Sequence, residues 1–188
     1  SEMYNHCGLA SSGEVFCMGV RAKSDLPRIQ KGDVVGLRLF HSQGKVVFYL
    51  NDKPIVEQRN LATYEQYYPC VTFGNAGYEV RIHPCPRIPL GVPRWAPDSF
   101  DPPRFQLGKD NLLVKASRAQ QCVTVLSDIQ YESGLQYFEV SFPAIHPDAE
   151  LCVGIAAPSI VDNFRVLPAP EFNHFGYMMT GEIVGLGQ

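Results

Sequence analysis

The residues of this chain that could do chemistry are a few histidines, cysteines and carboxylates at short spacings. His83-Pro84-Cys85 places an imidazole and a thiol two positions apart, where a strand would point both to the same side as a nucleophile and base. Pro84 disrupts such a strand, and no third group that could orient the base is evident. We therefore expect no catalytic residue.

Metal and phosphate sites are disfavoured by the same kind of argument. His6-Cys7 with Cys17 lacks the ligand spacing of zinc sites. Gly8 and Gly13 have the spacing of a phosphate-binding loop, but Glu14 follows where lysine is required. The acidic residues are dispersed along the sequence. A glycosidase would need two carboxylates at a defined distance from each other, and that distance cannot be derived from the sequence. The sequence predicts no metal, no cofactor and no enzyme activity.

Bulk composition narrows the class of protein and of partner. The 188 residues are 45% hydrophobic and 19% charged, which is typical of a globular domain. The net charge is −3 with scattered basic residues, so nucleic acid is not an expected partner. The longest apolar stretch, residues 151–161, contains Pro158 and is too short for a bilayer, so we expect no membrane insertion.

Cysteine usage favours an intracellular, cytoplasmic location. None of the six cysteines has CxxC spacing, most have apolar neighbours, and there is no glycosylation sequon. Reduced, buried thiols are favoured over disulfides on this pattern. The six are Cys7, Cys17, Cys70, Cys85, Cys122 and Cys152.

An internal repeat indicates how the chain is divided into domains. Residues 4–19 and 172–187 align without a gap at an offset of 168 positions. Such a period is one domain long, so the chain is expected to start inside one copy of a domain and to stop inside the next, as a fragment of a larger tandem-repeat protein. The identical pairs are Asn5/Asn173, His6/His174, Gly8/Gly176, Gly13/Gly181, Glu14/Glu182 and Gly19/Gly187.

Short β-rich runs separated by turn residues predict an all-β, antiparallel sandwich of two packed sheets. No segment has a convincing helical period. Residues 41–45 are expected to be a hairpin loop, and residues 51–54 and 74–77 are expected to be turns. The predicted strands are residues 34–39, 46–50, 70–73, 78–83, 112–115, 122–126, 137–142 and 151–156.

A proline-rich segment divides the chain. Residues 84–103 contain seven prolines, which remove ladder donors and predict an extended connector. Trp95, the one tryptophan, lies in this segment and is expected to pin it to a domain face rather than to bind a ligand. The predicted organisation is 1–83, a linker at 84–103, and 104–188.

Several spaced motifs resemble the SPRY (B30.2-like) family. Residues 31–36 (KGDVVG), 44–54 (GKVVFYLNDKP), 68–71 (YPCV) and 79–82 (EVRI) resemble the second half of such a domain. Residues 105–108, 125–128, 134–140 (GLQYFEV) and 153–156 (VGIA) resemble its beginning, and residues 173–177 (NHFGY) resemble the segment that follows. The resemblance implies that residues 1–83 are the C-terminal half of one repeat and 104–188 the N-terminal half of the next.

The swapped order of the halves leaves two arrangements open. The halves can close on each other as one compact permuted sandwich, which we favour, or exchange between molecules as a domain-swapped dimer. In either case one copy of the repeated Asn-His…Gly-Glu segment is surplus, because both cannot fill one strand position.

The resemblance also implies binding loops at one end of the sandwich. The loop after residues 68–71 contributes Phe73, Asn75 and Tyr78, although Phe73 can equally be the end of a core strand. Asn173, His174 and Tyr177 match a segment lining the same end; the first two can instead make structural turn bonds. The long stretch 158–170 supplies Phe164 and Arg165 as further candidates.

The expected function is that of a non-catalytic interaction module. By resemblance, it recognises a peptide or protein surface through those loops, within a larger multi-SPRY protein, and neighbouring repeats are further partners. A purely architectural packing of repeats and a lectin-like carbohydrate-binding role remain alternatives.

Overall fold

The computed structural model describes residues 6–17, 20–64, 66–73, 77–83, 93–96, 105–116, 123–145, 151–156, 176–177 and 183–184. These residues form strands throughout, with one short 3-10 turn at His41–Gln43. The strands are β1 His6–Ala10, β2 Val15–Cys17, β3 Val20–Lys23, β4 Val34–Phe40, β5 Lys45–Leu50, β6 Lys53–Gln58, β7 Tyr68–Phe73, β8 Glu79–His83, β9 Phe105–Leu107, β10 Leu113–Ala116, β11 Val123–Leu126, β12 Leu135–Ala144, β13 Leu151–Ala156, β14 Gly176–Tyr177 and β15 Ile183–Val184.

Two antiparallel sheets pack on each other as a β-sandwich. One sheet has the order β11-β7-β13-β1-β2-β3, and the other has the order β6-β5-β4-β12-β8-β10-β9. Among the described residues, the strands β14 and β15 pair only with each other. The all-β sandwich predicted from the strand-length runs is thus confirmed.

Both sheets mix strands from before and after the proline-rich segment. The long strand β12 inserts between β4 and β8, and β13 inserts between β7 and β1. Residues on either side of the segment therefore hydrogen-bond to each other over most of both sheets. The two halves close on each other within one chain in this structure.

Strand periodicity builds the core between the sheets. In β12, Phe138, Val140 and Phe142 are fully buried, whereas the alternate residues point away from the core. This confirms the facing predicted for residues 137–142 from a period of two. The inward residues of β4, β5, β8 and β10 join the same cluster.

The turn predicted at residues 51–54 is shorter than expected. Only Asn51 and Asp52 form it, both with positive φ (51° and 66°), as a tight hairpin between β5 and β6 requires. Lys53 and Pro54 instead belong to β6, the outermost strand of its sheet. An edge strand tolerates a proline because its outer backbone side has no ladder to complete.

Trp95 anchors the proline-rich segment in the core. Its side chain is fully buried, and its residue forms an isolated bridge with Ser127. Backbone bonds from Trp95 to Asn111 (2.7 Å) and from Ala96 to Leu126 (2.9 Å) extend the attachment. The pinning role expected for this tryptophan is confirmed. In the described part of the chain, no helix has the length and apolar character needed to cross a membrane.

Candidate functional site

Two of the residues predicted as partner contacts, Phe73 and Tyr78, have described side chains, and both are buried. Phe73 and Tyr78 are 0% and 1% exposed, and their rings stack at 6.2 Å between centroids. Of the two alternatives left open for Phe73, the structure shows the end of a core strand, because Phe73 shares the inward side of β7 with Val71 and Tyr78 packs under it. Asn75, Phe164, Arg165, Asn173 and His174 lie outside the described residues, and Tyr177 is described only by its backbone in β14.

A different set of side chains converges on the outward side of the seven-stranded sheet. We call it the outer face. It is built by the alternate residues of three central strands and one neighbour, which point away from the core because their flanking residues point in. The outer face comprises Arg38 of β4, Tyr49 of β5, His83 of β8, and Tyr137, Glu139 and Ser141 of β12.

Arg38 is held between two tyrosine rings at the centre of the outer face. Its guanidinium carbon lies 5.4 Å from the Tyr49 centroid and 5.7 Å from the Tyr137 centroid. The two rings meet edge to face at 6.3 Å. Both distances from the guanidinium to a ring centroid are within the range in which a cation is attracted to an aromatic ring. The rings therefore orient the guanidinium.

Gly36 makes room for this cluster. It lies in register with Tyr49 on one side and Glu139 on the other, so a side chain there would project among them. A methyl group at Gly36 would meet the Tyr137 hydroxyl at 2.6 Å. The absence of a side chain at this position lets the Tyr137 ring lie over the strand.

Arg38 differs from the other cations on this side of the sheet in its lack of a carboxylate partner. Arg81 pairs with Asp110 (3.5 Å), Lys115 with Glu79 (3.0 Å) and Lys45 with Glu57 (3.7 Å). Within the described residues, no ion pair and no hydrogen bond involves the Arg38 guanidinium. Its planar donor edge is thus available to an external carboxylate.

A histidine–serine pair lies beside this cluster. His83 Nε2 and Ser141 Oγ are 2.7 Å apart, and His83 lies in register with Glu139. Burial lowers the pKa of His83 below its ordinary value, Glu139 acts against this, and Arg81 adds to the lowering. The imidazole is therefore neutral at neutral pH and can accept or donate a hydrogen bond.

The residue types Ser141, His83 and Glu139 are those of a nucleophilic triad, but their bonding differs from one. The Glu139 carboxylate accepts a 2.5 Å hydrogen bond from Tyr137 Oη, and no described hydrogen bond joins it to His83. The strand carrying Ser141 is paired on both sides, by β4 and β8. Its amides are thus engaged in ladders and do not form the donor pair that stabilises an oxyanion.

The cysteines and acidic residues do not form a metal site in the described part of the chain. Cys7, Cys17 and Cys70 are free thiols and all three are buried. Burial raises the pKa of Cys7 and of Cys70, so both remain protonated. These thiols pack as small apolar groups.

Sequence reasoning found part of the outer face. The alternation in residues 137–142 placed Tyr137, Glu139 and Ser141 together on one side. It missed Arg38, Tyr49 and His83, because those residues lie on other strands and only the strand order brings them close. No local signal in the sequence marks them.

No protein-family model matches the chain, and no curated protein matches it in sequence. The functional argument therefore depends on the residues of the site.

Proposed function

We propose that this chain is a non-catalytic, SPRY-like protein-interaction module of a larger multi-SPRY protein. Its partner is an acidic protein segment that places a carboxylate on Arg38 of the outer face. This differs from the loop recognition that the family resemblance implies, since Phe73 and Tyr78 are buried. The single observation that carries the proposal is the unpaired Arg38 between two tyrosines.

The chemistry of Arg38 favours a carboxylate over a neutral ligand. A guanidinium presents parallel N–H donors that match the two oxygens of a carboxylate, and bonds between charged groups are worth about twice neutral ones. Stacking on Tyr49 and Tyr137 restricts its side chain before binding, so less entropy is lost on association. The chain's net charge of −3 is spread over its surface, and salt screens such charges beyond about 8 Å.

The bonding around Ser141 favours binding over catalysis. A hydrolase needs a base that is oriented by a third group and amide donors for the oxyanion. Here Glu139 bonds to Tyr137 and the neighbouring amides are used in strand pairing. The His83–Ser141 pair instead offers polar groups to a ligand that reaches across from Arg38.

The test is a peptide library in which acidic sequences are matched to copies carrying Asn and Gln for Asp and Glu. Binding is measured for the natural protein, for Arg38→Gln and for Arg59→Gln. Arg59 is a suitable control because it is 65% exposed and paired with Glu57 on the edge strand side. We expect acidic peptides alone to bind, and Arg38→Gln to weaken them about tenfold, or ~1.4 kcal/mol.

Two outcomes contradict the proposal. Equal binding of acidic and neutral peptides would remove the role of the carboxylate, and equal losses in the Arg38 and Arg59 variants would show only a general charge effect. A circular dichroism spectrum of Arg38→Gln that matches the natural protein establishes that any loss is local.

A second candidate, the packing of neighbouring repeats, is favoured by a different observation. The strands β14 and β15, in the second copy of the repeated segment (residues 172–187), pair with each other as β1 and β2 of the first copy do. Sedimentation of a longer chain spanning two whole repeats tests this candidate: stable repeat–repeat packing gives a compact particle, whereas independent modules give an extended one.

A further inference from the structure

The described residues of the second copy of the internal repeat pair in the same register as their counterparts in the first copy. In the first copy, Gly8 lies opposite Phe16 and Leu9 opposite Val15. In the second copy, Gly176 lies opposite Val184 and Tyr177 opposite Ile183. Each of these four pairs of positions differs by the offset of 168 found in the sequence. The repeat is thus conserved as a structural unit as well as a sequence.

The first copy occupies a position with narrow steric requirements. It pairs through β1 with β13, where Gly8 faces Gly154. A Cβ at Gly8 would collide with Cys152 Sγ and come within 3.2 Å of the Val153 carbonyl, and a Cβ at Gly154 would collide with the Cys7 carbonyl. We call this position beside β13 the hairpin slot. It favours a strand with glycine at the place of Gly8, because a larger residue there would displace the Cys152 side chain and crowd the Val153 carbonyl.

The second copy meets that requirement. Gly176 stands at the place of Gly8, and Gly181 stands at the place of Gly13, whose φ of +87° disfavours other residues. Glu182 and Thr180 replace Glu14 and Ser12, so the serine-to-carboxylate bond of 2.9 Å in the first copy can be made by a threonine hydroxyl.

The buried positions of the hairpin keep hydrophobic or small residues in the second copy, with one polar addition, the hydroxyl of Tyr177 at the place of fully buried Leu9. Val15, fully buried, becomes Ile183. The buried pair Cys7 and Cys17, opposite each other in the first copy, becomes Phe175 and Gly185. At this pair a large residue opposite glycine replaces two small ones, which limits the change in volume there, whereas Tyr177 and Ile183 add volume that the surrounding core must accommodate.

The second copy is also the closer one along the chain. His6 pairs with Ala156 at the end of β13, and its counterpart His174 is separated from Ala156 only by residues 157–173. The first copy, in contrast, is separated from β13 by most of the length of the chain. Closure of the shorter loop costs less conformational entropy.

We propose that the segment 172–187 is an alternative occupant of the hairpin slot of its own chain, in competition with residues 4–19. The chain then has two arrangements of one sandwich that differ in which hairpin lies beside β13. This inference concerns the fold and is independent of the proposed acidic partner.

Disulfide trapping on Cys152 reports which copy is in the slot. The Ser11 amide donates to the Leu151 carbonyl (2.6 Å), so Ser11 and Leu151 are a hydrogen-bonded pair. Hydrogen-bonded and non-hydrogen-bonded pairs alternate along an antiparallel ladder, so the next pair, Ala10 and Cys152, is a non-hydrogen-bonded one. Its Cα atoms are close, as a disulfide requires. The counterpart of Ala10 in the second copy is Met178. The matched variants are therefore Ala10→Cys and Met178→Cys.

Each variant is incubated with oxidised glutathione, which takes up the two electrons and two protons of the paired thiols, and disulfides are mapped by mass spectrometry. We expect Ala10→Cys and Met178→Cys each to form a bond to Cys152 within monomers. Adding Gly8→Val, which blocks the first copy, should raise the yield of the 152–178 bond several-fold. Adding Gly176→Val should abolish it.

The proposal is overturned if the 152–178 bond fails to form in both the natural and the Gly8→Val backgrounds while the 10–152 bond forms. It is also overturned if the 152–178 bond is found only in covalent dimers, since the slot would then be filled by a second molecule. Results from the Gly8→Val background are used only if that variant retains a cooperative thermal transition. If it does not, the yield of the 152–178 bond in Met178→Cys without Gly8→Val is the deciding result.

Discussion

At the scale of single residues, the outer face is shaped by a missing side chain and an unpaired charge. Gly36 leaves the space that the Tyr137 ring enters, and that ring with Tyr49 holds the Arg38 guanidinium. Neither feature depends on an unusual residue type. Both depend on which residues the strand register places next to one another.

His83 makes the stability of the protein depend on pH. Burial lowers the pKa of His83 from its ordinary 6.5, so the unfolded chain holds the proton more tightly than the folded chain. Stability therefore rises with pH through the window between the lowered pKa and 6.5, and His83 adds no slope above it. Replacement of His83 by glutamine should flatten the rise in melting temperature as the pH increases through that window.

An unchanged slope in His83→Gln would show that other groups cause the pH dependence. Thermal melts followed by circular dichroism at several pH values, at constant ionic strength, are sufficient for the comparison.

The burial of the cysteines can be tested through their reactivity with an alkylating agent. Cys70 is fully enclosed and its pKa is raised by burial, and burial likewise raises the pKa of Cys7. Because the thiolate is the reactive form, both should be alkylated by iodoacetamide far more slowly in the native protein than in urea. Peptide mapping after timed alkylation measures this, and equal rates in the two conditions would contradict the burial.

At the scale of elements, β12 determines how the sandwich is held together. It is the longest described strand and pairs with β4 and β8, which lie on the other side of the proline-rich segment. Its inward residues fill the core, while its outward residues supply half of the outer face. One strand therefore couples the stability of the fold to the geometry of the site.

Truncation on the two faces of β12 should have very different effects. Phe138→Ala removes a fully buried ring and is expected to lower the free energy of unfolding by about 3–5 kcal/mol. Glu139→Ala, one residue on and partly exposed, should cost about 1 kcal/mol through loss of the Tyr137 hydrogen bond. Urea denaturation of both variants measures the difference, and comparable losses would argue against this inward and outward assignment.

At the scale of the whole molecule, the interleaved strand order makes the two halves interdependent. The core strands of residues 1–83 lack neighbours without β12 and β13, and the reverse also holds. Strands without their partners expose core faces and unpaired edges.

Separate chains of residues 1–83 and 84–188, the second of which keeps the buried Trp95, should therefore not fold alone. Mixed in equal amounts, they should recover β-sheet circular dichroism and a cooperative melt. A cooperative melt of either piece by itself would show that the halves are independent. Light scattering of the whole chain over a concentration range should give the mass of one 20.9 kDa monomer, and a stable dimer would indicate exchange between molecules.

Local pattern was enough to predict the sandwich, the facing of residues 137–142 and eight strands, which are β4, β5, β7, β8 and β10 to β13, because side chains alternate with a period of two wherever one side of a strand is buried. It did not predict β1, β2, β3, β6 or β9, nor the short pair β14 and β15. The repeat was likewise visible in the sequence alone. The neighbours of each strand were not predictable in this way, since pairing depends on long-range packing. Tertiary structure alone brought Arg38, Tyr49 and Tyr137 together, buried Phe73 and Tyr78, and placed the first repeat copy beside β13. Those outcomes follow from strand order and register, which no single segment encodes.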